Sequence, residues 1–163
     1  MAAEEYILDY IVLTAEPGVI GGMPTGGLDF GSAINGDAIL DQPAQFDFYD
    51  GGGLDAAFLG MAQADAAGDV NVSRFGPKLA GCGGFINISQ NAKKVMFLGT
   101  FVAPCRTEVV DGRIVVTDGV AAPKFLDNVD QRTFSGQYAA AAGQPVLYVT
   151  ERCVFRLTPT AWN

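Results

Sequence analysis

Glu16 is the side chain whose type and surroundings most suggest chemistry, because Pro17, Gly18 and a glycine pair at 21–22 follow it. The apolar run at residues 10–13 before it predicts a short buried strand. Proline fixes φ and glycine permits positive φ, so the chain should leave that strand in a tight turn with accessible backbone. A carboxylate at such a strand end lies where open α/β sheets bind ligands. The alternative is an ordinary solvated glutamate at a surface turn.

A second glycine-rich stretch, at residues 81–84, leads into apolar residues and predicts the start of a helix. Backbone N–H groups at a glycine-rich helix start can hold an anion or a developing oxyanion. Gly83 and Gly84 are the candidates for this role. The alternative is a purely structural turn, and the local sequence favours neither interpretation.

Histidine is absent from the chain, which excludes Ser–His–Asp and Cys–His nucleophile systems and histidine metal ligands within it. Three separate cysteines, Cys82, Cys105 and Cys153, form no Cys-x-x-Cys pair, so we predict no metal site and no disulfide framework. Each should be a reduced, buried, small apolar residue. The chemistry left to this chain is that of carboxylates and backbone amides.

Composition indicates one globular domain over residues 1–163, with 49% hydrophobic residues and a formal net charge of −8. The negative charge argues against nucleic acid or an anionic membrane surface as a partner. No apolar stretch is long enough for a membrane span, and no signal peptide is recognisable. We therefore predict a cytoplasmic location.

One helix is predicted from its ends, since Asp41 and Pro43 suit a helix start and Gly51 a helix end. Its residues Phe46 and Tyr49 should pack into the core. Residues 121–145 should be rich in loops. Strands are predicted at residues 56–62, 69–72, 93–99, 145–150 and 154–157, and a hairpin with an Asp-Gly type I′ turn at residues 107–116. The strand at 56–62 should be buried, and the polar/apolar alternation at 69–72 is typical of an edge or second strand. Together these elements predict an α/β fold with an open mixed sheet flanked by helices.

Four stretches follow one another along the chain: residues 13–18 around Glu16, residues 50–55, residues 69–72, and residues 81–85 with 93–95. In this order they resemble the C-terminal (β-type) half of family I coenzyme A-transferases. The resemblance is closest to the propionate or short-chain-acyl type, supported by residues 46–53, 99–101, 133–136 and 146–152. Residues 13–18 resemble the family motif Ser-Glu-Asn-Gly, and residues 50–55 resemble Arg-Gly-Gly-His-x-Asp. Residues 69–72 resemble the family's Gly-Asp-Leu-Ala-Asn motif. Residues 81–85 resemble Gly-Met-Gly-Gly, and residues 93–95 match the Lys-Lys-Val that follows it in the family.

The resemblance implies the CoA-transferase fold and a covalent mechanism in which Glu16 attacks the thioester of an acyl-CoA. An acyl-glutamyl anhydride and then a glutamyl-CoA thioester would form, and an incoming carboxylic acid would reopen the thioester. Coenzyme A is then a substrate, with no tightly bound cofactor and no metal. The residues implied as oxyanion donors or substrate contacts are Gly83, Gly84, Gly18, Gly52 and Gly53.

The resemblance also implies a partner, namely the N-terminal, CoA-binding half of the transferase, on the same or a separate polypeptide. That half is absent from residues 1–163, and a homo-oligomer is expected. Two alternatives remain open at this point. One is an acyl-CoA hydrolase of the same fold, in which water reopens the thioester. The other is a non-catalytic half that acts only with its partner.

Overall fold

The computed structural model describes residues 5–103, 106–118 and 122–158. Its internal contacts divide the chain into two compact units, unit 1 (Met1–Gly53) and unit 2 (Leu54–Asn163). A single domain over residues 1–163 therefore stays a prediction, and each unit is described by itself.

Unit 1 is built from very short strands and one α-helix. Strands β1, β2 and β5 form an antiparallel sheet in the order β1-β2-β5, and β3 pairs with β4. Among the described residues its elements are two 3-10 helices (Leu8–Tyr10 and Gly27–Asp29), β1 (Thr14–Ala15), β2 (Val19–Ile20), β3 (Met23–Pro24), β4 (Ala33–Ile34), β5 (Ala38–Ile39) and α1 (Gln42–Asp50).

The predicted helix is confirmed as α1, which begins directly after Asp41, has Pro43 in its first turn and ends at the C-cap Gly51. Its core-facing residue is Tyr49, with only 2% of its surface exposed. Phe46 is half-buried and meets the Tyr49 ring edge-on, with 5.4 Å between ring centroids. Both aromatic residues thus pack as expected.

The strand predicted at residues 10–13 is wrong. Residues Leu8–Tyr10 form a 3-10 helix, and the described residues before Thr14, 5–13, contain no strand. Tyr10 is 85% exposed and Val12 is 70% exposed, so the apolar run is not buried in this unit. A strand needs a neighbour for its backbone groups, and pairing begins at Thr14, which lies opposite Ile20.

Unit 2 contains a four-stranded sheet and two short helices. Within its described residues the elements are β6 (Ala57–Gly60), β7 (Gln63–Asp65), β8 (Val70–Asn71), β9 (Arg74–Phe75), β10 (Lys78–Leu79), α2 (Phe85–Asn91), β11 (Val95–Leu98), β12 (Val102–Ala103), β13 (Arg106–Val110), β14 (Arg113–Asp118), β15 (Ala122–Pro123), β16 (Phe125–Leu126), α3 (Gly136–Ala141), β17 (Val146–Val149) and β18 (Val154–Arg156).

The main sheet of unit 2 has the order β18-β17-β11-β6, and it confirms the predicted open mixed sheet. Strand β11 lies parallel to both β6 and β17, whereas β18 runs antiparallel to β17. Phe97, in the middle of β11, is fully buried. Its ring centroid lies 4.9 to 5.7 Å from those of Phe85, Phe134 and Tyr148, so helix α2 contributes Phe85 to the same aromatic core.

The predicted hairpin is confirmed, with Val110 opposite Arg113 across a two-residue turn. Asp111 and Gly112 both have positive φ, 51° and 74°, as a type I′ turn requires. The strands predicted at residues 93–99, 145–150 and 154–157 are confirmed as β11, β17 and β18.

Three predictions in unit 2 need correction. Strand β6 is not wholly buried, because Phe58 on it is 67% exposed. The segment 69–72 does not alternate between solvent and core, since both residues of β8 are buried. Cys82 and Cys153 are free thiols that are only half-buried, and Cys105 lies outside the described residues. The loop-rich segment 121–145 also contains the helix α3.

Candidate active site

Glu16 lies in the three-residue turn that joins β1 to β2, so the predicted tight turn after a strand is confirmed. Ala15 and Val19 pair across this turn. The backbone N–H of Gly18 donates to the carbonyl of Ala15 at 3.0 Å, which closes the loop. The Glu16 side chain is half-buried. The turn thus presents one carboxylate on a loop whose ends are fixed by the sheet.

Gly18 is required by the backbone of this turn. Its φ is +122°, and a Cβ at this position would lie 2.0 Å from the carbonyl oxygen of Leu40. The N–H of Leu40 donates to the Gly18 carbonyl at 2.8 Å, so the close approach belongs to the pairing of β2 with the β5 segment. This geometry accounts for the glycine structurally, and the contact of Gly18 with substrate stays a prediction.

A buried polar cluster connects β1 to helix α1, and the sequence did not suggest it. The hydroxyls of Thr14 and Tyr49 are hydrogen-bonded to each other. The Gln45 amide donates to the Thr14 hydroxyl at 2.9 Å and to the Tyr49 hydroxyl at 2.6 Å. We call Thr14, Gln45 and Tyr49 the anchor cluster. Gln45 and Tyr49 are four residues apart on α1 and so share one helix face.

Gln45 is an unusual member of the anchor cluster because it has no exposed surface. Its amide oxygen Oε1 is buried and has no hydrogen-bond partner in the structure. A buried amide oxygen without a partner typically costs about 1–3 kcal/mol. The cluster therefore joins β1 to α1 by directional polar bonds and leaves one buried acceptor without a partner.

Gly52 and Gly53 close the C-terminal end of α1. Gly52 has a φ of +81°, and its N–H donates to the carbonyl of Tyr49 at 3.0 Å. Gly53 donates to the carbonyl of Phe48 at 3.0 Å, and a Cβ on it would lie 2.3 Å from the Phe48 ring. Both glycines thus follow the end of the helix that carries Gln45 and Tyr49, and their predicted substrate contacts stay predictions.

Gly83 and Gly84 belong to unit 2, whereas the other candidate residues belong to unit 1. The prediction that glycines lead into a helix here is confirmed, since α2 begins at Phe85 with Gly84 as its N-cap. Gly83 is exposed with a φ of +51°, and Gly84 is buried with its carbonyl accepting from Ile88 at 3.0 Å. Their role as oxyanion donors stays a prediction.

A buried polar network in unit 2 joins two of the stretches that carried the family resemblance, 69–72 and 133–136. The Asp69 carboxylate accepts hydrogen bonds from Arg132 Nε at 2.5 Å and from the N–H of Gly136 at 2.8 Å. The hydroxyls of Ser73 and Thr133 are 2.8 Å apart. The partners are about sixty residues apart in the chain, so no local pattern could have paired them. The contacts show that these motif residues connect the start of α3 and the segment before it to the residues on either side of β8.

Two other carboxylates have pKa values lowered by their partners. Burial raises the pKa of Glu151, but hydrogen bonds from the N–H of Phe101 at 2.8 Å and from Arg152 at 3.2 Å outweigh it, so the net shift is downward. The Lys93 ammonium, 2.7 Å from the Asp55 carboxylate, lowers the pKa of that exposed group. Both side chains have structural partners that favour the ionised form.

Two other kinds of site are not found among the described residues. No group of three or more histidine, cysteine, aspartate or glutamate side chains is arranged there to hold a metal ion. Among those residues there is also no helix with the length and apolar character needed to cross a membrane.

Comparison with curated proteins finds CoA-transferases. The chain is 48% identical over 162 residues to the caffeate CoA-transferase of Acetobacterium woodii, covering 96% of this chain and 31% of that protein. It is 44% identical over 158 residues to the acetate CoA-transferase YdiF of Escherichia coli K12, covering 96% of this chain and 30% of that protein. A scan against protein-family models finds no match.

Solved structures give the same result for the fold. The apoenzyme of the acyl-CoA transferase YdiF from Escherichia coli O157:H7 matches with a TM-score of 0.88 and 42% identity, covering 99% of this chain and 30% of that one. A thioester complex of YdiF with CoA matches with the same TM-score, 0.88, at 41% identity.

Sequence and fold together identify the chain as a homologue of the CoA-transferases, with the α/β fold of that family. The homology extends over nearly all of this chain, which spans about a third of the length of the curated relatives it matches.

Proposed function

We propose that this chain is the C-terminal, catalytic-glutamate part of a CoA-transferase, and that Glu16 forms a glutamyl-CoA thioester during turnover. The observation that carries the proposal is the position of Glu16 at the tip of a tight β-turn, in a chain that superimposes on YdiF with a TM-score of 0.88. YdiF has been crystallised as a thioester complex with CoA, which supports a covalent thioester in the family.

The proposed reaction exchanges one carboxylate for another without redox chemistry. A Glu16 carboxylate oxygen attacks the acyl-CoA carbonyl, the C–S bond breaks, and CoA leaves as thiolate. The thiolate attacks the glutamyl carbonyl of the resulting anhydride and releases the first acyl group as its carboxylate. The acceptor carboxylate then attacks the glutamyl-CoA thioester, breaks its C–S bond and forms a second anhydride with Glu16. The released thiolate attacks the acyl carbonyl of this anhydride, which forms the new acyl-CoA and frees the Glu16 carboxylate. A carboxylate nucleophile suffices for these steps, which suits a chain without histidine.

Negative charge develops on the carbonyl oxygen in each attack, and backbone donors would stabilise it. We assign this role to the N–H groups of Gly83 and Gly84, at the glycine-rich start of α2. Removing one such donor typically costs about 3 kcal/mol of transition-state stabilisation. Gly18, Gly52 and Gly53 complete the proposed set of substrate contacts, since small residues let a substrate approach the backbone closely.

The proposal includes the part of a CoA-transferase that residues 1–163 do not span. We propose that this part, an N-terminal half on the same or a separate polypeptide, contributes most of the CoA-binding site. The chain alone should then turn over no acyl-CoA. We further propose a homo-oligomeric, cytoplasmic enzyme. The donor should be a short-chain acyl-CoA of the acetyl, propionyl or acetoacetyl type, and the acceptor a carboxylic acid.

The test is covalent trapping in an assembly of this chain with the transferase segment that it does not span. Incubation with acetyl-CoA should form the glutamyl thioester, and borohydride should then reduce it to an alcohol. Peptide mass spectrometry should find this change between residues 13 and 23. Glu16→Gln should abolish this product and lower the exchange rate by several orders of magnitude. Glu108→Gln is the matched control, because Glu108 is an exposed glutamate on β13.

Three results would contradict the proposal. They are a fully active Glu16→Gln enzyme, a reduced glutamate elsewhere in the chain, and equal loss of activity in Glu108→Gln. Acyl-CoA consumption measured with and without acetate separates transfer from hydrolysis. A rate independent of any added carboxylic acid would support the hydrolase alternative instead.

A further inference from the structure

We propose that the anchor cluster of Thr14, Gln45 and Tyr49 positions Glu16 for attack on the acyl-CoA, an inference that rests on the proposed function of Glu16. These residues are positioning residues, because none of them is placed in contact with substrate. They would act by fixing Thr14, the first residue of β1, two residues before the nucleophile.

The contacts of Thr14 explain how it would fix the position of the Glu16 turn. Its backbone already lies in the β1–β2 pairing, opposite Ile20, so its side chain is available for a second attachment. Its hydroxyl is hydrogen-bonded to the side chains of Gln45 and Tyr49 on α1. The short strand that leads into the Glu16 turn is thus held to the helix as well as to its neighbouring strand.

The chemistry of the contact indicates a demand for exact placement. An apolar contact would tolerate small shifts of β1 along α1. Three groups that hydrogen-bond to one another restrict β1 to one position on the helix. The arrangement leaves Gln45 Oε1 buried without a partner, although an apolar residue of similar volume would avoid that penalty. A polar junction that leaves one buried acceptor unsatisfied is reasonable where the position of the next turn matters for function.

Catalysis provides that reason. The Glu16 oxygen must approach the thioester carbonyl in line for attack, and a misplacement of about 1 Å can lower a rate about 100-fold. The turn that carries Glu16 is only three residues long and closed by the Gly18–Ala15 hydrogen bond, so a shift at Thr14 is transmitted to Glu16.

The experiment compares paired variants in the same assembly of this chain with the transferase segment that it does not span. Thr14→Val removes the hydroxyl and keeps the shape, whereas Thr14→Ser keeps the hydroxyl. Tyr49→Phe removes the second hydroxyl. Its matched control is Tyr148→Phe in unit 2, where another fully buried tyrosine loses one hydrogen bond, to the carbonyl of Gly68. The measurements are the acyl-CoA affinity and the single-turnover rate of thioester formation on Glu16.

Thr14→Val and Tyr49→Phe should each form the thioester about 10–100-fold more slowly with unchanged acyl-CoA affinity. Thr14→Ser and Tyr148→Phe should stay within about threefold of the wild-type rate. Rates equal to wild type in both hydroxyl-deleted variants, or an equal loss in Tyr148→Phe, would overturn the inference. If either hydroxyl-deleted variant fails to fold, the other decides. Failure of the wild-type assembly to label Glu16 at all would refute the proposed function instead, and Glu16→Gln identifies that case.

Discussion

Gly18 gives the sharpest structural test of the Glu16 turn, through the substitution Gly18→Ala. The new Cβ would lie 2.0 Å from the carbonyl oxygen of Leu40 and 3.0 Å from its carbonyl carbon. Both atoms belong to the backbone, so no side-chain rotation can relieve the contact. The residue would also have to adopt a φ of +122°, which L-amino acids rarely do.

The size of the effect follows from two contributions. A side chain held at a strained φ costs about 1–3 kcal/mol. Relieving the clash moves the Leu40 backbone and breaks its 2.8 Å hydrogen bond to Gly18, worth about 0.5–1.5 kcal/mol. Gly18→Ala should therefore destabilise unit 1 by about 2–4 kcal/mol, a large part of the total for a domain of this size.

Urea denaturation and hydrogen exchange measure the loss. With an m value of about 1–3 kcal/mol/M, a loss of 3 kcal/mol lowers the midpoint by about 1–3 M. The Leu40 amide should exchange about 100-fold faster, because each 1.36 kcal/mol is a factor of ten. Gly26→Ala is the control, since Gly26 has negative φ and no atom within 4 Å of the added Cβ.

Gly26→Ala should be neutral or slightly stabilising, by up to about 1 kcal/mol, because alanine restricts the unfolded chain. The reasoning would be refuted if Gly18→Ala and Gly26→Ala had the same urea midpoint. It would be refuted equally by wild-type protection of the Leu40 amide in Gly18→Ala.

Two further predictions concern unit 2. Phe97→Ala should lower the free energy of unfolding of that unit by about 3–5 kcal/mol, measured in urea, because it empties the centre of the aromatic core. Phe58→Ala, on the exposed side of β6, should change it by less than about 1 kcal/mol. Similar losses for both variants would contradict the assigned core. The lowered pKa of Glu151 stabilises the fold above the ordinary glutamate value of 4.5, and this contribution is lost as pH falls through the lower folded-state value. Glu151→Gln should remove that part of the acid sensitivity, and an unchanged pH dependence of the urea midpoint would rule it out.

Local patterns predicted the elements that depend on a few neighbouring residues. The hairpin at Asp111 and Gly112 was predictable because its turn chemistry alone fixes two positive φ values. Helix α1 was predictable because its start and end signals are contiguous with it. The strand prediction at residues 10–13 was wrong, because apolar composition does not specify a strand partner. Strand partners are set by the rest of the fold.

The anchor cluster was not predictable for the same reason. Its hydrogen bonds join Thr14 to residues 31 and 35 positions later, and no periodicity relates them. Gln45 on α1 could equally have been a solvated surface residue. Glu16 was recognised because its turn signals are adjacent to it in the chain, although its chemical role came from the family resemblance and not from those signals.

The position of β11 between β6 and β17 has a consequence for folding. Both neighbours are parallel strands, and such pairs require long intervening connections, so the centre of the sheet is made of contacts distant in sequence. Sheets of this kind form slowly, because loop-closure entropy is lost before their contacts are gained. During synthesis β11 has one unpaired edge until β17 emerges, and Phe97 lacks its contacts with Phe134 and Tyr148 until then. A nascent chain paused between β11 and β17 should therefore be the species most prone to aggregate and most dependent on chaperones.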